Sequence, residues 1–399
     1  MDAVVAVEAV EVGSLRSLEI HGLSRTREST VLKLLPRRPP ARYTQRELAE
    51  FERRLNNLGV FDQVTLLHHA THTDVFLREK WTLIPMLQLA TGSTWRDTSA
   101  MLGAIEYNFL GGANQFGLNV FHEQRGWGFS ASFAEHPYQR GRWAFGSDFG
   151  YAGVERSFSE NDAWSTSMIS ATASLTSPPW RSDHLSYSFG AIYVREAVEE
   201  ATGMHPPSSH AFASQLAFNW DAYQWDDLAP SGWRAQLAGE SGMFVETRRD
   251  RPRDGARFLT DGSLRLSSTT ALMGRLQTMI ATRGNANYSQ MVGSVEGVRG
   301  LDDGTYHTWV HGFVNVELRQ SLRIAQRWAL QGVVFSDGAL FETISAAGDR
   351  GSGVRALSVG AGGRLVPTWL ANVVLRLDAA RLIEPKQQWF VQFGLNQYF

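Results

Sequence analysis

The chain has 399 residues, no cysteine and a formal net charge of −2, and these features exclude several classes of protein. The missing cysteines exclude thiol catalysis, thiolate-bound zinc and a disulfide scaffold, and the near-neutral charge argues against a nucleic-acid partner. No apolar run approaches the roughly 18 residues that a membrane-spanning helix needs. Abundant glycine, tryptophan and phenylalanine instead favour a transmembrane β-barrel with an apolar outer face and a small or polar inner face.

The first 80 residues predict a small α/β domain, 14–80, behind a leader, 1–13. The leader lacks the basic region and long apolar core of a signal peptide, so we expect that a signal was removed from the chain as given. Alternation of apolar and polar residues over 14–20 indicates a first strand. A first helix should run through Val31 and end at Pro36, which lacks an N–H and clashes with the preceding turn.

A second helix is indicated more strongly by its start signal and its period. Thr44 and Glu47 fit a capping box. The apolar residues that follow recur on one helical face: Leu48, Phe51, Leu55 and Leu58. Gly59 should end this helix, and two strands, 63–68 and 73–78, follow it. The domain is therefore predicted as strand, helix, helix, strand, strand.

Three histidines, His68, His69 and His72, lie at the junction of these two strands. Their spacing matches no standard ligand set for zinc, and a polar strand-to-turn junction accounts for them. We therefore predict no metal site in this domain. No cofactor is predicted either.

The order of elements in this domain resembles that of a POTRA domain, as do Ile20-His21-Gly22 and Leu58-Gly59-Val60-Phe61-Asp62. The resemblance implies a periplasmic domain that receives unfolded polypeptide clients, lending a sheet edge to an extended segment. An α/β adaptor without a client is the alternative.

From Trp81 to the end of the chain the dominant period is two, with large residues on one face and small or polar residues on the other. This pattern predicts sixteen strands: 83–92, 97–109, 114–125, 127–137, 141–153, 163–176, 183–196, 208–221, 232–247, 256–267, 271–283, 308–319, 326–337, 353–366, 372–383 and 388–399. The predicted fold is an all-β transmembrane barrel, 81–399, of about sixteen antiparallel strands, preceded by one small α/β domain.

The predicted connections differ in length between the two ends of this barrel. If the N-terminal domain is periplasmic, the longer ones lie on the extracellular side: 154–162, 197–207, 248–255, 284–307 and 338–352. Outer-membrane barrels show this asymmetry.

The last predicted strand ends on an aromatic residue. Phe393, Leu395 and Phe399 share one face of it with Trp389 and Val391. An amphipathic strand that closes on an aromatic residue resembles the targeting signal of bacterial outer-membrane proteins. The sequence thus predicts the bacterial outer membrane as the location and the lipid bilayer as a partner.

The connection between strands eleven and twelve carries a short motif, Val298-Arg299-Gly300-Leu301. With the N-terminal domain, this motif resembles the outer-membrane assembly and transport superfamily of BamA, TamA, the two-partner secretion transporters and the patatin-linked autotransporters. Two turn sequences, 108–112 and 226–232, agree with it. In contrast, Leu301 stands where the family usually has an aromatic residue, and one POTRA-like domain is present where BamA has five and TamA three.

The resemblance implies that this loop folds back into the lumen, where Arg299 meets acidic residues of the barrel wall. By this resemblance the expected partners are Glu317, in Asn315-Val316-Glu317-Leu318, and Asp337, in Phe335-Ser336-Asp337-Gly338. A guanidinium can bond two carboxylates at once. The strand period places Glu317 on the lumen face. Asp337 shares its face with Val333 and Phe335, so its lumen position is implied by the resemblance alone.

The resemblance implies an outer-membrane protein assembly, insertion or translocation factor that is not an enzyme. The sequence contains neither a Gly-x-Ser-x-Gly elbow nor a phosphate-binding loop. In the leading interpretation the N-terminal domain engages an unfolded outer-membrane or secreted client, and the seam between strands one and sixteen opens to it. Pro85 cannot donate to the ladder and Gly394 permits a bend, so both favour a weak seam.

Two other functions stay open at this stage. The first is a two-partner-type secretion pore for one dedicated exoprotein, and the second is a passive porin or surface antigen whose N-terminal domain is a plug. The basic loop 248–253 could bind lipopolysaccharide phosphates, with a solvated charged loop as the alternative. No motif identifies a periplasmic or lipoprotein partner.

Overall fold

The computed structural model contains a closed sixteen-stranded antiparallel β-barrel preceded by a small α/β domain, as the sequence predicts. It describes residues 11–395 apart from these positions: 16, 70–71, 91–98, 124–125, 137–141, 158–161, 181–183, 227, 247–249, 283–284, 294–296, 302–305 and 372. No helix in the described part of the chain has the length and hydropathy needed to cross a bilayer.

The N-terminal domain contains the predicted order of elements and one additional strand pair. Its elements are β1 Glu11–Leu15, β2 Ser17–His21, α1 Glu28–Leu32, β3 Ala41–Thr44, α2 Gln45–Asn57, β4 Phe61–His68 and β5 His72–Glu79. In the main sheet, β5 lies between β2, to which it is parallel, and β4, to which it is antiparallel. β1 pairs with β3 in a separate two-stranded sheet.

The helices of this domain follow from their sequence signals, with one difference. The Thr44 hydroxyl accepts from the Glu47 N–H at 3.2 Å, and the Glu47 carboxylate accepts from the Thr44 N–H at 2.8 Å, which completes the predicted capping box at the start of α2. α1 ends at Leu32 rather than next to Pro36, and the chain continues in turns. Leu34 and Leu35 are nevertheless buried in the domain core, and their N–H groups donate to the Val31 and Leu32 carbonyls at 3.1 and 3.4 Å.

Two strand boundaries near the N-terminus also differ from the prediction. The predicted first strand, 14–20, is divided between β1 and β2, and residues 11–13 of the predicted leader belong to β1. These residues pair with β3, a partner that alternation within one segment cannot reveal.

The barrel is built by sixteen strands that overlap the sixteen predicted ones. They are β6 Leu83–Ala90, β7 Ser99–Phe109, β8 Asn114–Glu123, β9 Gly126–Ala134, β10 Ala144–Ser157, β11 Ala163–Thr176, β12 Leu185–Thr202, β13 Ser209–Asp221, β14 Gly232–Glu246, β15 Arg251–Arg265, β16 Thr270–Ala281, β19 Val310–Ala325, β20 Trp328–Ile344, β21 Arg350–Pro367, β22 Leu375–Glu384 and β23 Gln388–Gly394. Each strand pairs with the next, and β23 pairs with β6 to close the barrel. The connection between β16 and β19 contains a further small hairpin, β17 Gln290–Val292 and β18 Tyr306–Thr308.

The two faces of the wall differ in chemistry, as a membrane barrel requires. On β19, Val314, Val316 and Leu318 point outward and are exposed, whereas Asn315 and Glu317 point inward and are buried. The same alternation exposes aromatic side chains on the outside of β10: Phe145, Phe149 and Tyr151. An apolar outer surface of this kind faces lipid in transmembrane barrels.

The predicted difference in connection length is largely wrong at the end far from the N-terminal domain. β12 continues to Thr202, β15 begins at Arg251, and β20 and β21 continue the ladder into the predicted loop 338–352. The segments added to β12 and β15 carry charged residues such as Glu199, Glu200 and Asp254, whereas a ladder satisfies backbone N–H and C=O groups whatever the side chains are. Among the far-end connections in the described part of the chain, 282–309 is the long one.

The N-terminal domain, together with Trp81 directly after it, contacts the near rim of the barrel at three separate connections. The Gly111 carbonyl accepts from the Arg27 N–H and from the Thr30 hydroxyl, both at 2.9 Å. The Tyr223 carbonyl accepts from Asn57 Nδ2 at 2.7 Å, and the Trp369 carbonyl accepts from the Trp81 N–H at 3.0 Å. Because these connections follow β7, β13 and β21, the domain is fixed to well-separated points of the rim.

Close approach at the first contact requires glycine. Gly111 has a φ of +69°, and a Cβ there would lie 2.5 Å from the Arg25 carbonyl oxygen. A side chain at this position would therefore push the domain away from the rim.

Glu79 orders the loop that reaches this contact. Its carboxylate accepts from the Ser24 hydroxyl at 2.6 Å and from the N–H groups of Arg25 and Thr26 at 2.9 and 2.8 Å. Partial burial acts to raise the pKa of Glu79, but the hydrogen bonds from Ser24, Thr26 and Arg25 outweigh it and hold the pKa below its usual value. The Thr26 hydroxyl in turn accepts from Asn108 Nδ2 on the rim at 2.9 Å.

Candidate functional site in the barrel lumen

The connection 282–309 folds into the barrel and bonds to two parts of its wall. Near its start, Asn287 Oδ1 accepts from Trp164 Nε1 on β11 at 2.8 Å, and Asn285 Nδ2 donates to the Ser209 hydroxyl on β13 at 3.1 Å. Further along, the motif 298–301 lies against β19, β20 and β22. The loop therefore spans the lumen between the β11–β13 wall and the β19–β22 wall.

The motif itself is buried and fits its surroundings closely. Val298 and Leu301 pack with Phe313, Phe341 and Leu382 from the wall. Gly300 adopts a φ of +97°, a conformation that other residues rarely adopt, and its carbonyl accepts from Gln388 Nε2 at 2.7 Å. The leucine at position 301 is thus a core residue of the lumen site.

Arg299 is the centre of the site, with a side chain that is 0% exposed. Its Nε and Nη2 donate to the two carboxylate oxygens of Asp337 at 2.7 and 2.8 Å, a bidentate pair. Its Nη1 donates to Glu317 Oε1 at 2.6 Å. The structure therefore brings Arg299 together with both of the expected acids.

Asp337 lies on the lumen side of β20. The strand period alone did not decide this orientation. Val333, Phe335 and Asp337 all face inward on β20 and are buried. The guanidinium carbon of Arg299 lies 3.4 Å from the centroid of the Phe335 ring. Phe335, one of the apolar neighbours that made the orientation of Asp337 ambiguous, thus stacks on Arg299 and adds a cation–π attraction.

The site is larger than the three residues predicted from the sequence. Asp378 on β22 accepts from Arg299 Nη1 at 3.4 Å and also from Arg364 Nη1 on β21. Glu317 Oε2 accepts from Arg319 Nε at 2.7 Å, and Arg376 Nε lies 3.8 Å from Asp378. We call these residues the lumen network: Arg299, Glu317, Arg319, Asp337, Arg364, Arg376 and Asp378.

The lumen network nearly balances its charges, with four arginines and three acids. Its side chains are at most 3% exposed. An isolated charge this deeply buried would cost several kcal/mol. Pairing between the arginines and the acids therefore allows four wall strands and the loop to meet at one buried site.

The loop backbone is bound as well as its side chain. Asn315 Nδ2 donates to the Gly297 carbonyl at 2.8 Å and to Asp337 Oδ1 at 2.9 Å. The Arg299 N–H donates to Asp337 Oδ2 at 3.2 Å. The lumen network thus acts as a clamp: it holds the loop 282–309 through hydrogen bonds to the loop backbone and to the Arg299 side chain. Groups of His, Asp and Glu close enough to share a metal ion lie, within the described residues, in the N-terminal domain.

Sequence reasoning missed four members of the network: Arg319, Arg364, Arg376 and Asp378. Each occupies an inward position of a predicted strand, so the signal was a charged residue in the middle of a strand whose other face is apolar. Which of them meet depends on the register between β21 and β22, where Arg364 lies opposite Arg376 and Gly362 opposite Asp378. The period of one strand does not contain that information.

The predicted seam residues lie at or beside the junction of the first and last barrel strands. Gly394 pairs with Gln88, Phe393 with Leu89, and Gln392 with Ala90. Pro85 lies on β6 opposite Ala104 of β7. Residues 396–399, including Phe399, are outside the described part of the chain.

The other predicted features occupy different positions. Leu395 follows β23 and is half-buried. Of the basic loop, 247–249 are outside the described residues. Arg253 donates to Glu240 at 3.3 Å and lies over the Phe244 and Tyr288 rings, so it packs beside the lumen loop.

Comparison with known proteins adds the fold type. No protein-family model matches the chain, and no curated protein matches it. A solved structure of BamA from Haemophilus ducreyi lacking POTRA domains 1–3 is similar, with 15% identity, a TM-score of 0.55, and coverage of 96% of this chain and 84% of that one.

Two structures of CdiB are similar as well. CdiB from Acinetobacter baumannii has 14% identity and a TM-score of 0.61, with coverage of 96% of this chain and 73% of that one. CdiB from Escherichia coli has 10% identity and a TM-score of 0.65, with coverage of 96% and 76%. The chain thus has the fold of the BamA and CdiB structures.

Proposed function

We propose that this protein is a non-enzymatic outer-membrane factor of the BamA and TamA type, which receives unfolded polypeptides and inserts them into the outer membrane. The observation that carries the proposal is the lumen loop clamped through Arg299 inside a sixteen-stranded barrel, beside an N-terminal domain fixed to the rim. The fold that the chain shares with BamA and CdiB supports a role in insertion or translocation.

The N-terminal domain, 14–80, is proposed as a POTRA-like receiving domain in the periplasm. β2 and β4 are the edges of its sheet, and a sheet edge can accept an extended segment through backbone hydrogen bonds. The solvent face beside these edges exposes two large apolar side chains, Leu67 at 48% and Phe76 at 41%. An unfolded barrel strand could bind there with its own apolar side chains.

The barrel would then act at its seam. The ladder between β6 and β23 includes Gly394, which weakens a strand because it contributes no packing side chain. Opening this ladder would give a client two strand edges inside the membrane. We propose that Phe393, Leu395 and Phe399 form the terminal strand signal by which this protein itself is assembled.

Reconstitution in liposomes tests this function. An unfolded barrel client is added, and its protection from protease is followed for the intact protein, for a version lacking 14–80 and for Arg299→Ala. Asp148→Asn, an acid-to-amide change in the lumen at an exposed position of β10, serves as the matched control. Faster protection that needs both the domain and Arg299, but not Asp148, supports insertion.

A secretion pore for one exoprotein is the second candidate, and the similarity to CdiB favours it. It predicts that clients do not become membrane-embedded, and that Arg299→Ala raises ionic conductance because the clamped loop is released from the lumen. A large steady conductance that is unchanged by removal of 14–80, without client insertion, would contradict both candidates and favour a passive porin.

A further inference from the structure

A cluster of imidazoles around one carboxylate lies on the solvent face of the N-terminal sheet, outside the lumen site. His21 ends β2, Asp74 lies on β5, and His69 and His72 flank the turn between β4 and β5. The parallel pairing of β2 with β5 sets Glu19 opposite Asp74, so His21 is the diagonal neighbour of Asp74 on the same face. Two strands and the β4–β5 turn thus contribute to one group.

The distances within the cluster fit a metal-binding site. His69 Nε2 lies 3.1 Å from Asp74 Oδ2, and His72 Nε2 lies 3.7 Å from the same oxygen. Ligands at about 2.0–2.2 Å from a tetrahedral zinc ion are themselves separated by roughly 3.3–3.6 Å. Two of the three donor–donor distances are therefore within a few tenths of an ångström of these values, and all three donor atoms lie within 4.8 Å of one another.

The remaining contacts hold the potential ligands in place. The rings of His69 and His72 stack with their centroids 4.3 Å apart, and the His69 N–H donates to the His72 carbonyl at 2.9 Å across the turn. His21 Nε2 lies 3.3 Å from Asp74 Oδ1, the other carboxylate oxygen. An imidazole on the outer oxygen of a metal-binding carboxylate is a common means of orienting it.

The donor set also indicates which ion is preferred. Imidazole nitrogen with one carboxylate oxygen suits Zn²⁺ and similar transition metals, whereas Mg²⁺ and Ca²⁺ prefer oxygen ligands throughout. Among the described residues, the side chains in contact with the Asp74 carboxylate are histidines. The nearby cation on the same strand, Arg78, pairs instead with Asp62.

We propose that His69, His72 and Asp74 bind Zn²⁺, with His21 orienting the carboxylate and solvent completing the coordination. The ion would tie the β4–β5 turn to the end of β2 across the domain's sheet. The prediction of no metal site rests on the spacing of His68, His69 and His72 in the sequence. The structure leaves His68 out, with its Nδ1 3.1 Å from the Thr73 hydroxyl, and adds Asp74 and His21.

Calorimetric titration of the full-length protein in detergent micelles with ZnCl₂ tests the site. The chain has no cysteine to compete for the ion. We expect about one Zn²⁺ bound per chain, no binding in the double variant His69→Ala/His72→Ala, and binding weakened on the order of tenfold in His21→Ala. MgCl₂ should give no comparable binding.

The matched control is His68→Ala, which removes an exposed imidazole next to the cluster and should leave zinc affinity unchanged. Circular dichroism melting of each variant without zinc checks folding, since all four substituted side chains lie at the surface. Absence of zinc binding by the intact protein would overturn the proposal. Equal binding by the intact protein and the folded double variant would overturn it too.

Discussion

Two parts of the barrel wall differ in the side chains that they direct into the lumen. Along β19–β22 the inward side chains are large, charged and buried, and they hold the loop through the lumen network. Along β9–β11 the inward positions carry small residues such as Ser132, Gly146, Gly150 and Ser170, and the inward Asp148 is exposed. In the lumen network the loop covers the wall charges, and Arg299 pairs with the acidic ones.

This difference makes the two parts unequal in what a substitution costs. A buried ion pair that loses one partner leaves an uncompensated charge, whereas an exposed charge is solvated and screened. We call the β19–β22 part of the wall the network half and the β9–β11 part the open half. The network half should therefore be sensitive to substitutions that the open half tolerates, even when the chemical change is identical.

The largest effect is expected for Arg299→Ala. Asp337 would lose its bidentate partner, while Glu317 would keep Arg319, so the cost should be about 3–5 kcal/mol. We expect a lower denaturation midpoint and rapid cleavage within 282–309 by added protease. Arg299→Lys should recover part of the loss, because it restores the charge without the planar fork. A loop equally resistant to protease in both variants and the intact protein would contradict the clamp.

Glu317→Gln should come next, at roughly 3 kcal/mol. The amide keeps the shape but removes the negative charge that Arg299, Arg319 and Arg364 share. Urea denaturation followed by tryptophan fluorescence measures the change. If the combined variant Arg299→Ala/Glu317→Gln loses as much as the two single losses added together, the residues are not coupled and the network is wrongly drawn.

Glu79→Gln should destabilise the N-terminal domain by about 1–2 kcal/mol, because the loop 24–26 loses hydrogen bonds to a carboxylate. The folded-state pKa of Glu79 is below its usual value, so its contribution is present above the ordinary glutamate pKa of about 4.5 and is lost as the pH falls through the folded-state pKa. The gap in melting temperature between the two proteins should accordingly be widest near neutral pH and close in acid. A gap that is constant with pH would exclude this role.

Thr44→Ala tests the same domain at its helix rather than at its rim contact. Loss of the cap should cost about 1 kcal/mol, with no change in how the loop 282–309 resists protease. Thr44→Ser, which retains the hydroxyl, is the control. Faster cleavage of the lumen loop in Thr44→Ala would show that the two regions are coupled more strongly than their contacts indicate.

The smallest effect is expected for Asp148→Asn in the open half of the barrel. Its carboxylate is exposed and accepts from the Thr172 hydroxyl at 3.0 Å, so the change should stay within about 0.5 kcal/mol. Compared with Glu317→Gln, it is the same acid-to-amide change in the other half of the wall. Similar denaturation midpoints for these two variants would remove the distinction between the halves.

Much of this architecture was predictable because it repeats. Alternation along each strand located all sixteen barrel strands, since a wall with lipid on one side must be apolar at every second residue. The capping box and the spacing of Leu48, Phe51 and Leu55 located α2. Strand ends were predicted less well, because β12 and β15 extend into charged sequence, where backbone hydrogen bonding across the ladder determines the strand boundary.

The site was predictable only where a local signal existed. The motif around Arg299 and the inward parity of Glu317 pointed to the lumen. The contact between Arg364 and Asp378 depends on the register of two strands, and the approach of His21 to Asp74 depends on pairing across the whole domain. Such contacts are set by tertiary structure, so they cannot be predicted from the pattern of residues along one segment.

The central claim of the proposed function is that clients enter the membrane through the β6–β23 seam, and a reversible lock on that seam tests it most directly. Leu89 and Phe393 lie opposite each other, and paired antiparallel residues have Cα atoms about 4.5–5.5 Å apart, within the reach of a disulfide. Because the chain has no cysteine, Leu89→Cys/Phe393→Cys introduces a single bridge.

The control places the same bridge between β7 and β8, at Leu102→Cys/Val120→Cys. The measurement is client protection in liposomes, oxidised and then reduced. The account predicts that oxidation stops insertion in the seam variant, that reductant restores it, and that the control pair inserts clients in both states. Undiminished insertion with the seam fully cross-linked would contradict the account.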